Sequence, residues 1–380
     1  MQPTEADIIV IGAGIAGASI GYWLAPHARV VVLERESQPG YHSTGRSVAT
    51  FVESYGPAQV RALTRASRAF LEAPPPAFAE YPLLSPRGYL TVAAPGEQHL
   101  LDAQEETVRA ANGRAVRLDR DGALALVPAL RPDTMIAALH EPDVADIDVH
   151  GLHQGYLRGV RQRGGDLVCN AEVTAIERTR DRWLVVAAGR RLAAPIIVNA
   201  AGAWADRVGM LAGASRIGLQ PKRRTAFTFA PREGADIARW PMFGGVDETW
   251  YVKPEAGRLI GSPANTDPVE PHDVQAEELD VALGIHRIET MTTLRIPRPT
   301  RVWAGLRSFV PDGDLVGGFD PDHAGLFWLA GQGGYGIQTS AAMGEACAAL
   351  ALGRPLPPRI ADFGLSEAML GLRRLRAAPA

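Results

Sequence analysis

The sequence predicts an α/β protein in which a mostly parallel, doubly wound domain is joined to a second, mostly antiparallel α+β domain. Three observations carry this. The chain has 380 residues, more than the roughly 100–200 of one domain. Near its start a β-branched run, Ile8-Ile9-Val10-Ile11, leads through glycines into apolar residues at helical spacing, Ala16, Ile20, Trp23 and Leu24. In the middle, alternating stretches such as Thr225-Ala226-Phe227-Thr228-Phe229 and Thr249-Trp250-Tyr251-Val252 read as strands.

Composition narrows the function classes. Hydrophobic residues at 46% and charged residues at 21% describe an ordinary folded protein. With 39 basic and 42 acidic side chains, the net charge of −3 leaves no global positive field for nucleic acid. Cys169 and Cys347 lie far apart without CxxC or Cys/His spacing, so neither a disulfide framework nor a metal site is expected. The acidic start, MQPTEAD, is unlike a secretory signal, and a cytoplasmic protein is expected, with peripheral contact at an inner membrane left open. The uncharged stretch Ile8 to Pro26 is long enough to span a bilayer. Its β-branched run, glycines and helical periodicity instead read as strand, tight turn and helix, and no transmembrane segment is expected.

Residues 12–17, GAGIAG, place Gly12, Gly14 and Gly17 in the GxGxxG pattern. The first glycine permits the turn, the second lets backbone approach a pyrophosphate, and the third lets helix meet strand. Orphan N–H groups at the helix start then hold phosphate. A second strand, Val30 to Leu33, ends in Glu34, 20 residues after Gly14, where a carboxylate accepts from ribose hydroxyls. This pattern leaves NAD and FAD open. The loop containing Ser43, Thr44, Gly45, Arg46 and Ser47 suits a long dinucleotide. Gly331-Gln332-Gly333-Gly334-Tyr335-Gly336 opens an Ala-rich helix, a second N-terminus able to face an electron-rich ring. Between them, Ala58 to Leu71 puts Val60, Leu63, Ala66 and Phe70 on one helical face. The nucleotide motifs lie at both ends and in the middle, so the domains are expected to be discontinuous: 1–80, 146–212 and 303–372 bind the nucleotide, while 81–145 and 213–302 cover it.

GAGIAG, HSTGRS, VNAAGAW and GQGGYGIQTSAAMGEA together resemble the FAD-dependent D-amino-acid oxidase superfamily. ADIDVHGLHQGYLRG, LQPKRRTAFTFAP, GSPANTDPVEPHDVQ and WAGLRSFVPDGDLVGG resemble the bacterial FAD-dependent D-arginine dehydrogenases across essentially the whole chain. The resemblance implies a Rossmann-like FAD-binding domain of the D-amino-acid oxidase fold and a substrate domain. FAD would be noncovalent, held by Gly12, Gly14, Ala16, Gly17, Glu34, Arg35, His42, Ser43, Thr44, Ser47, Val173, Ala201, Gly202, Trp204, Gly334, Tyr335, Gly336, Ile337 and Gln338.

The implied reaction is oxidative deamination of a D-amino acid. Its carboxylate must be clamped, its Cα–H aimed at flavin N5 and its amine neutral. Hydride loss then leaves an imine that hydrolyses to a 2-oxo acid and ammonia. By resemblance Arg224 and Arg307 clamp the carboxylate, a task suited to planar guanidinium groups. Tyr55 and Tyr251 donate to it, and Gly305 offers its carbonyl to the amine. Thr50, Val52, Tyr89, Met242 and Gly244 are implied to line the side-chain pocket. Where the bacterial D-arginine dehydrogenases carry His, Thr and Glu, this chain has Thr50, Val52 and Tyr89. The pocket is therefore expected to lack an anion, making arginine a poor substrate and apolar or aromatic side chains preferred. The electron acceptor stays open between a quinone or carrier and oxygen. The alternative is an oxygen-using D-amino-acid, glycine or secondary-amine oxidase of the same fold.

Overall fold

The computed structural model describes residues 3–376. Its centre is a six-stranded sheet in the order Asp166–Val168, Val30–Leu33, Ile8–Ile11, Ile196–Asn199, Leu326–Ala330 and Val316–Phe319. The first five are parallel and the last antiparallel. Period-two alternation splits the apolar runs between two cores. Ile8, Val10, Val30, Val32 and Val198 face the helices Ile15–Leu24, Ala58–Glu72, Val149–Gln162 and Ser340–Ala351. Ile9, Ile11, Val31, Leu33 and Ile197 face a four-stranded sheet whose Trp183 and Val185 pack with Val208. Burial on both faces is why these strands carry no polar alternation.

The uncharged stretch near the start resolves into the strand Ile8–Ile11 and the helix Ile15–Leu24. Among the described residues no helix is long and apolar enough to cross a membrane. The turn between them is sterically fixed. Gly12 sits at φ +102°, and a Cβ there would press on the Ala200 carbonyl oxygen. A Cβ on Gly17 would collide with the Gly12 carbonyl oxygen.

The second large element is a nine-stranded, mostly antiparallel sheet. It runs Asp267–Pro268, Gln220–Phe229, Arg258–Ser262, Tyr251–Glu255, Met242–Gly245, Tyr89–Ala93, Ala137–Glu141 and Val116–Leu118, with Arg301–Phe309 also pairing Gln220–Phe229. Only the pair Met242–Gly245 with Tyr89–Ala93 is parallel in it. Two features cut across the expected segment boundaries. Residues 303–309 were expected with the nucleotide-binding segments, yet they hydrogen-bond along Gln220–Phe229, where Ala304 and Leu306 bury against Ala203 and Val274. Ala145–Ile147 joins Thr50–Phe51 and Leu84–Pro86 in a small three-stranded sheet. The Ala-rich helix starts at Ser340, because residues 334–339 form turns instead of helix.

Gly17→Ala tests the turn. The added methyl has only backbone to displace, so a loss of about 1–3 kcal/mol is expected, read as a lower melting temperature and reduced FAD content. A variant with wild-type melting and full cofactor would contradict the close approach.

Candidate active site

A cavity of about 460 Å³ runs from the C-terminal edge of the parallel sheet to the nine-stranded sheet. Ligands of open α/β sheets sit at that edge. Gly12, Gly14, Ala16, Glu34, Arg35, His42, Ser43, Thr44 and Ser47 line one end, with Val173, Ala201, Gly202, Trp204, Gly334, Gly336 and Ile337. Arg224, Tyr251, Gly305 and Arg307 line the other.

The first end is built from local hydrogen bonds. The Glu34 carboxylate accepts from the Ala13 N–H at 2.9 Å and the Glu36 N–H at 3.0 Å, which fixes it at the mouth of the glycine turn. Thr44 Oγ1 accepts from the Ile15 N–H at 3.0 Å, and Ser43 donates to the Leu306 carbonyl at 2.7 Å. These bonds tie the loop to both sheets. His42 meets Glu36 at 2.9 Å and lies 4.6 Å from the Trp204 ring, over which Arg35 also sits at 4.5 Å. Burial would raise the Glu36 carboxyl, but the hydrogen bonds from His42 and Arg35 outweigh it and hold the pKa below the usual carboxylate value.

The far end holds two half-buried guanidiniums whose open side is the cavity. Arg224 stands opposite Gly305 in the antiparallel pair, and Arg307 follows two residues along. The two arginines are therefore diagonal neighbours on one sheet face. Arg224 Nε donates to the Asn265 carbonyl at 2.8 Å, and Arg307 donates to the Tyr55 hydroxyl at 3.3 Å. Among the described residues neither forms an ion pair with a carboxylate. Arg223, on the opposite face, meets Asp280 at 2.9 Å, Asp267 at 3.6 Å and also Glu277. Burial and the neighbouring Arg307 charge push the Arg224 pKa below its ordinary value. Two like charges without a protein counter-ion among the described residues favour an anion between them.

Other expected residues lie outside the cavity wall. Gly17 packs beneath the turn. Gln338 accepts from the Val52 N–H at 3.1 Å and donates to Thr64 at 3.0 Å, so both ends of its amide are occupied by protein. The Tyr55 and Tyr335 rings meet edge to face at 5.0 Å. Tyr89 is in register with Met242 and Gly244 with Tyr251, while Thr50 Oγ1 is 3.9 Å from the Met242 sulfur. The residues expected to line a side-chain pocket thus adjoin the strand that bears Tyr251.

The acidic groups that act on Tyr89 lie off its own strand. Burial, then Glu248 and Glu141, push the Tyr89 pKa up, and Glu248 also acts on Arg224 and Tyr335. Glu248 lies on the exposed turn after Met242–Gly245, in the left-handed region at φ 55°, and not on the strand bearing Tyr89. The acidic pair Asp247-Glu248 between two strand patterns was the available signal. Gln332, not assigned from sequence, also lines the cavity, and its buried Nε2 has no partner among the described residues.

The model of the FAD dependent oxidoreductase (DAO) family matches residues 7–350. The chain belongs to the FAD-dependent oxidoreductase family. It is 24% identical over 374 residues to glycine oxidase of Geobacillus kaustophilus (strain HTA426), covering 95% of this chain and 97% of that protein. The crystal structure of glycine oxidase from Geobacillus kaustophilus is similar at a TM-score of 0.80 and 22% identity, covering 96% of this chain and 99% of that one. L-alpha-glycerophosphate oxidase from Mycoplasma pneumoniae, solved with FAD bound, gives a TM-score of 0.82 at 18% identity over 93% of this chain and 95% of its own. FAD-dependent oxidoreductase domain-containing protein 1 of Bos taurus is 22% identical over 406 residues, 93% of this chain and 82% of that protein. The fold is that of this FAD-binding family, with mixed α/β sheets, and the cofactor is FAD.

The residues present suit that group. Glu34 is fixed at the glycine turn, and Gln332 Nε2 is a buried donor in need of an acceptor. Neither cysteine lines the cavity.

The clamp yields a direct test. If Arg224 and Arg307 hold an anionic substrate group, Arg224→Ala and Arg307→Ala each remove a charge-assisted contact worth roughly 1.5–3 kcal/mol, and kcat/KM is expected to fall tenfold or more. FAD content should hold. Wild-type kinetics in both variants would remove these arginines from the site.

Proposed function

We propose that the chain oxidatively deaminates a D-amino acid. The observation that carries this reading is the pair of cavity-facing guanidiniums without a protein counter-ion. A substrate carboxylate supplies the missing anion. The names of similar proteins agree in kind: glycine oxidase and iminodiacetate oxidase act on compounds with an amine beside a carboxylate.

In this reading Arg224 and Arg307 hold the carboxylate, and the phenols of Tyr55 and Tyr251 donate to it. The Gly305 carbonyl, opposite Arg224 in the strand pair, accepts from the amine and turns the nitrogen away from the clamp. Glu34, the Gly12–Gly17 turn and the Ser43–Ser47 loop hold the dinucleotide. FAD, when bound, would supply the two-electron acceptor for the Cα hydride. The nitrogen lone pair closes the C=N bond as the Cα–H pair departs, and water then releases ammonia and the 2-oxo acid. A glycine or secondary-amine oxidase uses the same clamp and is the second reading. It is favoured by the likeness to a structure of L-proline dehydrogenase from P.horikoshii, at a TM-score of 0.79 and 21% identity.

For the side chain we favour apolar or aromatic groups. If Tyr89, Met242 and Val52 border the bound side chain, the apolar surface they bury with it is worth about 25 cal/mol per Å². A guanidinium there would surrender hydration, and the exposed, water-screened Glu248 is a weak counter-charge.

Anaerobic flavin bleaching with a panel of D- and L-amino acids, followed by exposure to air, tests this reading. D-leucine, D-methionine and D-phenylalanine should exceed D-arginine in kcat/KM, and Tyr89→Glu should raise D-arginine turnover selectively. D-arginine ahead of all three would overturn the side-chain preference, and bleaching by no D-amino acid would overturn the activity.

A further inference from the structure

Tyr55 sits in the short segment between the strand Thr50–Phe51 and the helix Ala58–Glu72. The next residue, Gly56, has φ +88°, a left-handed conformation that lets the chain double back, and a Cβ there would press on Tyr335 and Val60. A segment that reverses so sharply needs fixed points to hold one phenol beside Arg307. It has three. The Val52 N–H donates to Gln338 at 3.1 Å, the Gly56 carbonyl accepts from Arg61 at 2.6 Å, and the Ser54 hydroxyl donates to Glu141 at 2.7 Å.

The third anchor crosses from this segment to the nine-stranded sheet. Glu141 ends the strand Ala137–Glu141, in register opposite Tyr89, and is 5% exposed, while Ser54 is 4% exposed. Its other oxygen accepts from Gln104 at 3.2 Å. No arginine or lysine among the described residues pairs with it. Burial pushes its pKa up, and the hydrogen bonds from Ser54 and Gln104 act against that rise. A carboxyl held away from water by two neutral donors is costly as packing material. That cost is understandable if the bond it makes has a use.

We propose that Glu141 is a positioning residue: through Ser54 it fixes the segment that presents the Tyr55 phenol to Arg307, and so sets the geometry of the carboxylate receptor. The proposal rests on reading Tyr55 and Arg307 as that receptor. Neither Glu141 nor Ser54 lines the cavity; Ser54 adjoins Tyr55 in the chain, whereas Glu141 also stands opposite Tyr89, so Ser54→Ala isolates the route through Tyr55.

The test is a double-mutant cycle on the FAD-loaded enzyme. Benzoate, a simple carboxylate, is titrated and its binding read from the flavin spectrum, with KM and kcat measured for the best D-amino acid of the panel. Ser54→Ala removes only the hydroxyl, and benzoate Kd and substrate KM are expected to rise roughly fivefold to tenfold, with kcat less affected and FAD content unchanged. Glu141→Gln keeps an acceptor oxygen and should lose less than Glu141→Ala. In a Tyr55→Phe background Ser54→Ala should add nothing further. Wild-type benzoate binding in Ser54→Ala, or penalties that simply add in the double variant, would overturn the proposal. If Glu141→Ala does not fold, Ser54→Ala decides the matter alone. A Tyr55→Phe enzyme that binds benzoate as wild type would overturn the receptor reading as well, which separates the two failures.

Discussion

Arg224 and Arg307 are diagonal neighbours on one face of a two-strand pair, and among the described residues no protein carboxylate neutralises either. Like charges in that relation repel. Nine registered residue pairs, from Gln220 with Phe309 to Thr228 with Arg301, leave the two side chains no freedom to separate along the strands. Arg223 displays the ordinary solution one residue away, where the sheet's other face supplies three acidic partners. The cavity face offers no such pair among the described residues, and in the proposed reading a substrate carboxylate supplies the balancing anion.

In the proposed reading the rest of the molecule places the FAD dinucleotide against that receptor. Two apolar cores clamp the parallel sheet from both sides, so its C-terminal edge is a rigid ledge. The Gly12–Gly17 turn and Glu34 stand on that ledge. The Ser43–Ser47 loop bridges to the second sheet, because Thr44 satisfies the start of the first helix while Ser43 bonds the Leu306 carbonyl. Leu306 neighbours both Gly305 and Arg307, so the loop that would hold cofactor and the strand that would hold substrate share a hydrogen bond.

Features coded by short-range pattern were legible in the sequence. The GxGxxG turn with its flanking strands needs only local sterics, and the helix expected over Ala58 to Leu71 is Ala58–Glu72. Long-range pairing was harder to read. The strand Arg301–Phe309 owes its place to a partner about 80 residues earlier, and nothing in WAGLRSF names that partner. Gln338 reads as a cofactor neighbour by motif, but its amide is spent on Val52 and Thr64, contacts that appear only once the helices pack. The acidic groups that act on Tyr89 were missed for a similar reason. A carboxylate was sought on the strand bearing Tyr89, whereas Glu248 arrives from a turn and Glu141 from the neighbouring strand.

The central claim is that the two guanidiniums form a carboxylate receptor beside the flavin. An anaerobic crystal structure of the FAD complex with a bound D-amino acid measures this most directly. The account predicts carboxylate oxygens within hydrogen-bond distance of both Arg224 and Arg307, with the amine at the Gly305 carbonyl. A carboxylate seated elsewhere, or either guanidinium turned to a protein carboxylate in the complex, would contradict it.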